Sequence, residues 1–171
     1  MAVKTDMSKA YDRVEWDFIE LVMERLGFHK IWINWIIQCI PTVSYSYLLN
    51  GMAQGSVVPQ RGIRQGDPLS PFIFILCSKV LSGLCNKAQV RGDLTGIKLG
   101  KKSPRINHLL FADDTMFFCK SDDQDCETLM LILQQYEQAS GQFINPQMSA
   151  VTFSAKTSLE TKDRVKLLLG I

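Results

Sequence analysis

The chain has 171 residues, 46% hydrophobic and 21% charged, an ordinary globular composition that supports a real core in one domain or a piece of one. Its net charge is only +2 with a pI near 8.3, so the chain alone should bind nucleic acid weakly. Five cysteines, an odd number without a CxxC pair, suggest neither a disulfide framework nor a zinc site. No basic region followed by an apolar run opens the chain. The stretches 31–40 and 71–84 are the most apolar, and polar residues interrupt both before the roughly 20 apolar residues of a membrane helix. The expectation is a non-secreted, intracellular protein of cytoplasm or nucleus, with no membrane partner. His29 and His108 have no ligand-like spacing and read as structural.

In chain order, residues 2–6 read as a strand that delivers Asp6. A helix is expected from Asp12 to Leu26, with Asp12 as N-cap, Glu15 in capping-box position and Gly27 as C-cap. A second helix spans His29 to Ile40 and stops at Pro41. Residues 43–60 alternate around Asn50-Gly51, a strong hairpin signal. A long helix runs from Leu69 to about Val90, with Pro71 tolerated in its first turn and Asp67 as a possible cap. A basic, turn-rich ribbon over 96–106 carries Lys98, Lys101, Lys102 and Arg105; it reads as solvated, with phosphate contact as the alternative. The next segment, His108 to Phe118, sets Asp113-Asp114 between apolar flanks that read as buried strands. A helix from Asp122 to Ala139, a strand over Ser149–Phe153 and a short helix over Leu159–Leu169 complete the chain. This strand–helix–strand–strand–helix–strand order matches an α+β, ferredoxin-like split βαβ antiparallel sheet with inserted elements and packed helices.

Two adjacent carboxylates repel, and a cation between them removes the cost. Hard oxygen ligands on a rigid turn suit Mg²⁺, although Asp is also a common residue of solvated turns. A second carboxylate, Asp6, stands at the end of the first strand in Ala2-Val3-Lys4-Thr5-Asp6. Between the two lies Arg61-Gly62-Ile63-Arg64-Gln65-Gly66-Asp67-Pro68-Leu69-Ser70-Pro71.

These three segments in this order resemble the palm of a reverse transcriptase, closest to the LINE-type (non-LTR) retrotransposons common in plants. The Asp6 segment resembles motif A, Gln65–Pro71 motif B and Phe111-Ala112-Asp113-Asp114 motif C. Ser140-Gly141-Gln142 with Ile144-Asn145 resembles the start of motif D. The resemblance covers almost the whole chain. It implies a polymerase palm over 1–171, an RNA-directed DNA polymerase using Mg²⁺ (or Mn²⁺), with RNA template, DNA primer and dNTP as partners in the full-length enzyme. It gives Asp6, Asp113 and Asp114 to metal binding and catalysis. It makes Tyr11 the ring that rejects a 2′-hydroxyl, and Gln65 and Gly66 the residues that meet nucleotide and template, with Arg64 near phosphate or template. The family usually has lysine where Met148 stands, a departure that puts turnover in doubt. Fingers and thumb are not recognised in the sequence, so a truncated palm is expected. The alternative is a catalytically inactive remnant acting as a binding or scaffolding module. An RNA-dependent RNA polymerase fits less well, because Ala112 stands where that class usually has glycine.

Overall fold

Alternation along the first strand sorts the sheet into two faces. In the computed structural model, which describes residues 1–171, β1 (Ala2–Ser8) buries Val3, Thr5 and Met7 and leaves Lys4 exposed with Asp6 half-buried. β1 pairs antiparallel with β7 (Asp114–Phe118), and β7 with β6 (His108–Phe111). On its other side β1 pairs with β8 (Phe143–Ile144) and β9 (Ala150–Thr152). The order β9–β1–β7–β6 is that of a ferredoxin-like antiparallel sheet, as the element order predicts.

Helices cover one face only. α1 (Trp16–Arg25), α3 (Ser70–Arg91) and α4 (Asp123–Ser140) pack together, and α5 (Leu159–Leu169) leans on α4. Their core contains Phe18, Ile19, Leu81, Leu129, Leu133 and Tyr136, and Phe18 meets Tyr136 edge to face at 6.0 Å. Burial of such side chains contributes roughly 1.5–3 kcal/mol each. Phe117 and Thr115 of β7 point into this layer, whereas Leu109 and Phe111 of β6 lie 54% and 81% exposed on the open face. The Asp-Asp flanks are therefore half-buried rather than buried strands, because nothing covers the second face.

Two expectations are corrected, the start of α1 and the apolar run of α3. α1 begins at Trp16 with Glu15 at its N-cap, and Asp12 caps nothing. Backbone bonds from Gly62 N–H to the Val14 carbonyl (2.8 Å), Ile63 N–H to the Tyr11 carbonyl (2.8 Å) and Glu15 N–H to the Ser140 carbonyl (2.9 Å) hold residues 11–15 out of the helix, as a turn that ends in an extended Glu15. Glu15 pairs with Arg61 at 3.1 Å instead of closing a capping box. α3 forms a 22-residue helix whose most apolar window has mean hydropathy 1.2, long and apolar enough by length and composition to cross a membrane, contrary to the reading of its sequence as too interrupted. In this fold its Ile73, Phe74, Cys77, Leu81 and Cys85 are core residues.

Between α1 and α3 stand α2 (Lys30–Cys39), capped by the His29 ring, and a hairpin of β2 (Tyr45–Leu49) and β3 (Met52–Val57). Asn50 and Gly51 take positive φ (51° and 81°) at its tip, as a two-residue turn requires. A short ribbon of β4 (Ile97–Lys98) and β5 (Arg105–Ile106) leads into β6.

Candidate active site

The open face of β1 and β7 presents carboxylates. The register sets Asp6 directly opposite Asp114, so both side chains leave the same face. Like charges directly opposite in a ladder destabilise it, and the fold gains nothing from this pair. Lys4, two residues before Asp6 and so on the same face, places its Nζ 3.0 Å from Asp114 Oδ1 and partly neutralises the cluster. Asp113 occupies the two-residue turn after Phe111 together with Ala112. Ala112 has φ +52°, a conformation that a Cβ disfavours, so the turn that aims Asp113 is held under strain.

Asp6 and Asp113 line one polar cavity of about 230 Å³ with Met7, Lys9, Ala10, Tyr11, Asp12 and Gln65. Asp114 does not line it, being engaged with Lys4. No three Asp, Glu, His or Cys side chains converge on one point. The donors that do meet are hard carboxylate oxygens without thiol or imidazole, a set that fits Mg²⁺ completed by substrate phosphates and fits zinc poorly.

The remaining sequence candidates take distinct places. The Tyr11 ring stacks on the buried Phe74 ring of α3, centroids 4.9 Å apart and 4° from parallel, which fixes its edge beside the cavity. Gly66 has φ +88°, which only glycine adopts freely, and turns the chain so that Gln65 reaches the cavity. Arg64 is not brought to the carboxylates. It lines a neighbouring cavity of about 280 Å³ with Arg61 and Asp67, and Asp12 lies on the wall of both. Asp67 is not the N-cap of α3, a position that Leu69 takes without a side-chain capping bond; its Oδ1 accepts from Leu69 N–H at 2.8 Å within the preceding turn.

Several residues to which the sequence reading gave no positioning role hold the site together. The Asp6 carbonyl accepts from Asn145 N–H at 2.9 Å, and Asp6 N–H points to Ser149 Oγ at 3.5 Å. Ser149 Oγ in turn donates to the Asn145 carbonyl at 2.7 Å. Fully buried Gln142 donates to the Ala10 carbonyl (2.9 Å) and accepts from Tyr136 Oη (2.6 Å). Gly62 and Gly141 close in from opposite sides: a Cβ on Gly62 would stand 2.6 Å from the Asp12 carbonyl oxygen, and one on Gly141 2.7 Å from that of Arg13. Lys4 was legible from the strand period alone; the others depend on contacts across more than 45 residues. Met148 ends the turn Pro146–Met148 and is 65% exposed.

The chain matches the family model described as reverse transcriptase (RNA-dependent DNA polymerase) over residues 1–168. It is 65% identical over 69 residues to an uncharacterized mitochondrial protein of Arabidopsis thaliana, AtMg01250, covering 40% of this chain and 57% of that one. It is 26% identical over 164 residues to the retrovirus-related Pol polyprotein from type-1 retrotransposable element R2 of Popillia japonica. That match covers 96% of this chain and 26% of the polyprotein, so the chain spans about a quarter of that relative's length. The fold is similar to telomerase from Candida albicans, solved in complex with a TWJ fragment of telomeric RNA (TM-score 0.66, 15% identity, 92% of this chain and 28% of that one). Apo telomerase from Candida tropicalis is similar at TM-score 0.65, with 18% identity over 92% of this chain and 31% of that one.

Proposed function

The chain belongs to the reverse transcriptase family, and from that premise we propose that it is the palm of an RNA-directed DNA polymerase of a non-LTR retrotransposon, its chemistry carried by Asp6 and Asp113. The observation that carries this reading is the register: a like-charge pair, Asp6 opposite Asp114, adjoins Asp113 on the uncovered face of the sheet. A fold accepts such repulsion where a cation and phosphates relieve it.

The reaction is attack of a primer 3′-hydroxyl on the α-phosphate of a dNTP paired to an RNA template. Divalent ions, Mg²⁺ or Mn²⁺, when bound stabilise the charge on attacking and leaving oxygens. Asp6 and Asp113 would hold them from two different elements, and Asp114, paired with Lys4 beside them, would be the third carboxylate. Tyr11, whose ring is braced by Phe74 beside the cavity, would exclude a ribose 2′-oxygen by collision and so select deoxynucleotides. Gln65 offers an amide donor and acceptor to the base pair, and Gly66 lets the backbone come close. Arg64, on the neighbouring cavity, would meet template rather than the reacting phosphates.

The test is primer extension on an RNA template by a reverse transcriptase of this family carrying this segment in place of its own. Asp113→Ala should abolish extension, and Tyr11→Ala should admit ribonucleotides. Extension undiminished by Asp113→Ala sinks the assignment. Met148 favours a second reading, a non-catalytic remnant: a thioether cannot donate the proton that a lysine would give the leaving pyrophosphate. Met148→Lys should raise extension in the same enzyme. No extension by either protein, beside an active parent, favours the remnant.

A further inference from the structure

Positive charge is concentrated far from the carboxylates. Residues 87–105 contain Lys87, Arg91, Lys98, Lys101, Lys102 and Arg105 against the single carboxylate Asp93, a local net charge of +5 in a chain whose total is +2. All six cations are exposed and none takes part in an ion pair; the chain's ion pairs join Lys4–Asp114, Arg61–Glu15 and Arg164–Asp123. The remainder of the molecule is therefore net negative, and any polyanion that meets this chain is steered to one place.

We infer that the β4–β5 ribbon and the C-terminal end of α3 form a non-catalytic docking surface for the phosphate backbone of a nucleic-acid duplex. The ribbon sets Lys98 directly opposite Arg105 in its ladder. This like-charge pair weakens a two-stranded element that has little stability of its own. It is the cationic counterpart of Asp6 opposite Asp114, and a bound anion relieves it in the same way. The ribbon is also organised before binding. Arg105 Nη1 donates to the Gly96 carbonyl at 3.0 Å, and the tip closes through Gly100 N–H to Ser103 Oγ at 2.9 Å, presenting Lys101 and Lys102 together. Four cations along a ribbon some 10 Å long match about three phosphate steps of one strand.

Duplex rather than single strand follows from composition. Residues 87–105 contain no aromatic side chain, so no base-stacking platform exists there. The surface is separate from the carboxylates: β6 lies between the ribbon and the Asp113 turn, and Lys87 and Arg91 lie about 25–30 Å along α3 from its first turn, which follows the Gln65–Gly66 loop. The choice of nucleic acid over other polyanions rests on the reverse transcriptase reading; the existence of the surface does not.

The experiment is fluorescence anisotropy of the 171-residue chain with a duplex of about 20 base pairs, an RNA–DNA hybrid and a single strand of equal length, titrated across salt. Duplex and hybrid should bind more tightly than single strand. Combined Lys98→Ser, Lys101→Ser, Lys102→Ser and Arg105→Ser should weaken duplex binding at least tenfold and lower the salt slope by about 3 to 4. Lys98→Arg, Lys101→Arg and Lys102→Arg should retain it. Removing Lys156, Lys162 and Lys166 should change it less than twofold. Equal loss from the Lys156 set, or binding unaffected by the ribbon variant, overturns the surface. Preference for anionic lipid vesicles over duplex overturns the partner. Because the ribbon variant is read by duplex binding and the carboxylates by primer extension, failure of this inference and failure of the polymerase reading are told apart.

Discussion

Asp6 faces Asp114 across an antiparallel pair, and this repulsion is the residue-level feature on which the proposed site rests. Removing one charge should help the fold and harm the site. Asp6→Asn leaves the Lys4–Asp114 ion pair intact and should raise stability by about 0.2–1 kcal/mol. In thermal unfolding this is a rise of roughly 1–4 °C. Millimolar Mg²⁺ should raise the melting temperature of the wild type and not of the variant, since an ion bound only by the folded state adds stability by mass action. A variant that melts lower than wild type, or responds equally to Mg²⁺, contradicts the assignment. The same logic marks Ala112: its positive φ keeps Asp113 aimed at a cost in backbone energy.

At the scale of elements, the site is a joint between segments distant in sequence. Residues 10–15 leave β1 and are clasped by the loop before α3 and by the turn after α4. Gly62→Ala strikes the Asp12 carbonyl and takes an L side chain to φ +87°. It should cost about 2–4 kcal/mol in urea unfolding, against about 1 for an ordinary surface glycine. A cost below 1 would mean that the clasp yields freely. A second joint ties α3 to β6, where His108 Nε2 lies 2.9 Å from Ser82 Oγ and the ring's other nitrogen meets Asn107. Burial lowers the His108 pKa below its ordinary value of 6.5. The unfolded chain therefore binds a proton that the folded chain resists, so this contribution is complete above about pH 6.5 and lost as pH falls below it. His108→Gln should flatten the acid limb of a stability–pH profile below about pH 6.5; an unchanged limb refutes the linkage.

For the whole molecule, a one-sided sheet decides what is reactive. Cys77, Cys85, Cys119 and Cys126 are buried and Cys39 is exposed. Burial pushes the thiols of Cys77, Cys85 and Cys119 up to about 12 and that of Cys126 to about 11. One thiol should react with a thiol reagent at neutral pH in the native protein, and five in denaturant. Rapid labelling of more than one would show that the helix layer opens readily. Charge is divided as sharply: anionic at the open sheet face, cationic at the ribbon and the end of α3.

What the sequence determined by itself was local. Strand alternation, helix period, the Asn50-Gly51 turn and the stops at glycine and proline are short-range, and so the element order and the ferredoxin-like sheet follow from them. The motif segments carried the family in the same way, because their residues stand within a few positions of one another. Tertiary structure decided the rest. It set the start of α1, since the loop at Gly62 and the turn at Ser140 hold residues 11–15 more strongly than a capping box would. It left Leu109 and Phe111 in solvent, because hydropathy states which residues are apolar and not which face will be covered. It joined Asp6 to Asp113, set Asp114 against Lys4 and turned Arg64 to another cavity. Those choices depend on register and on contacts between segments more than a hundred residues apart, which no local pattern encodes.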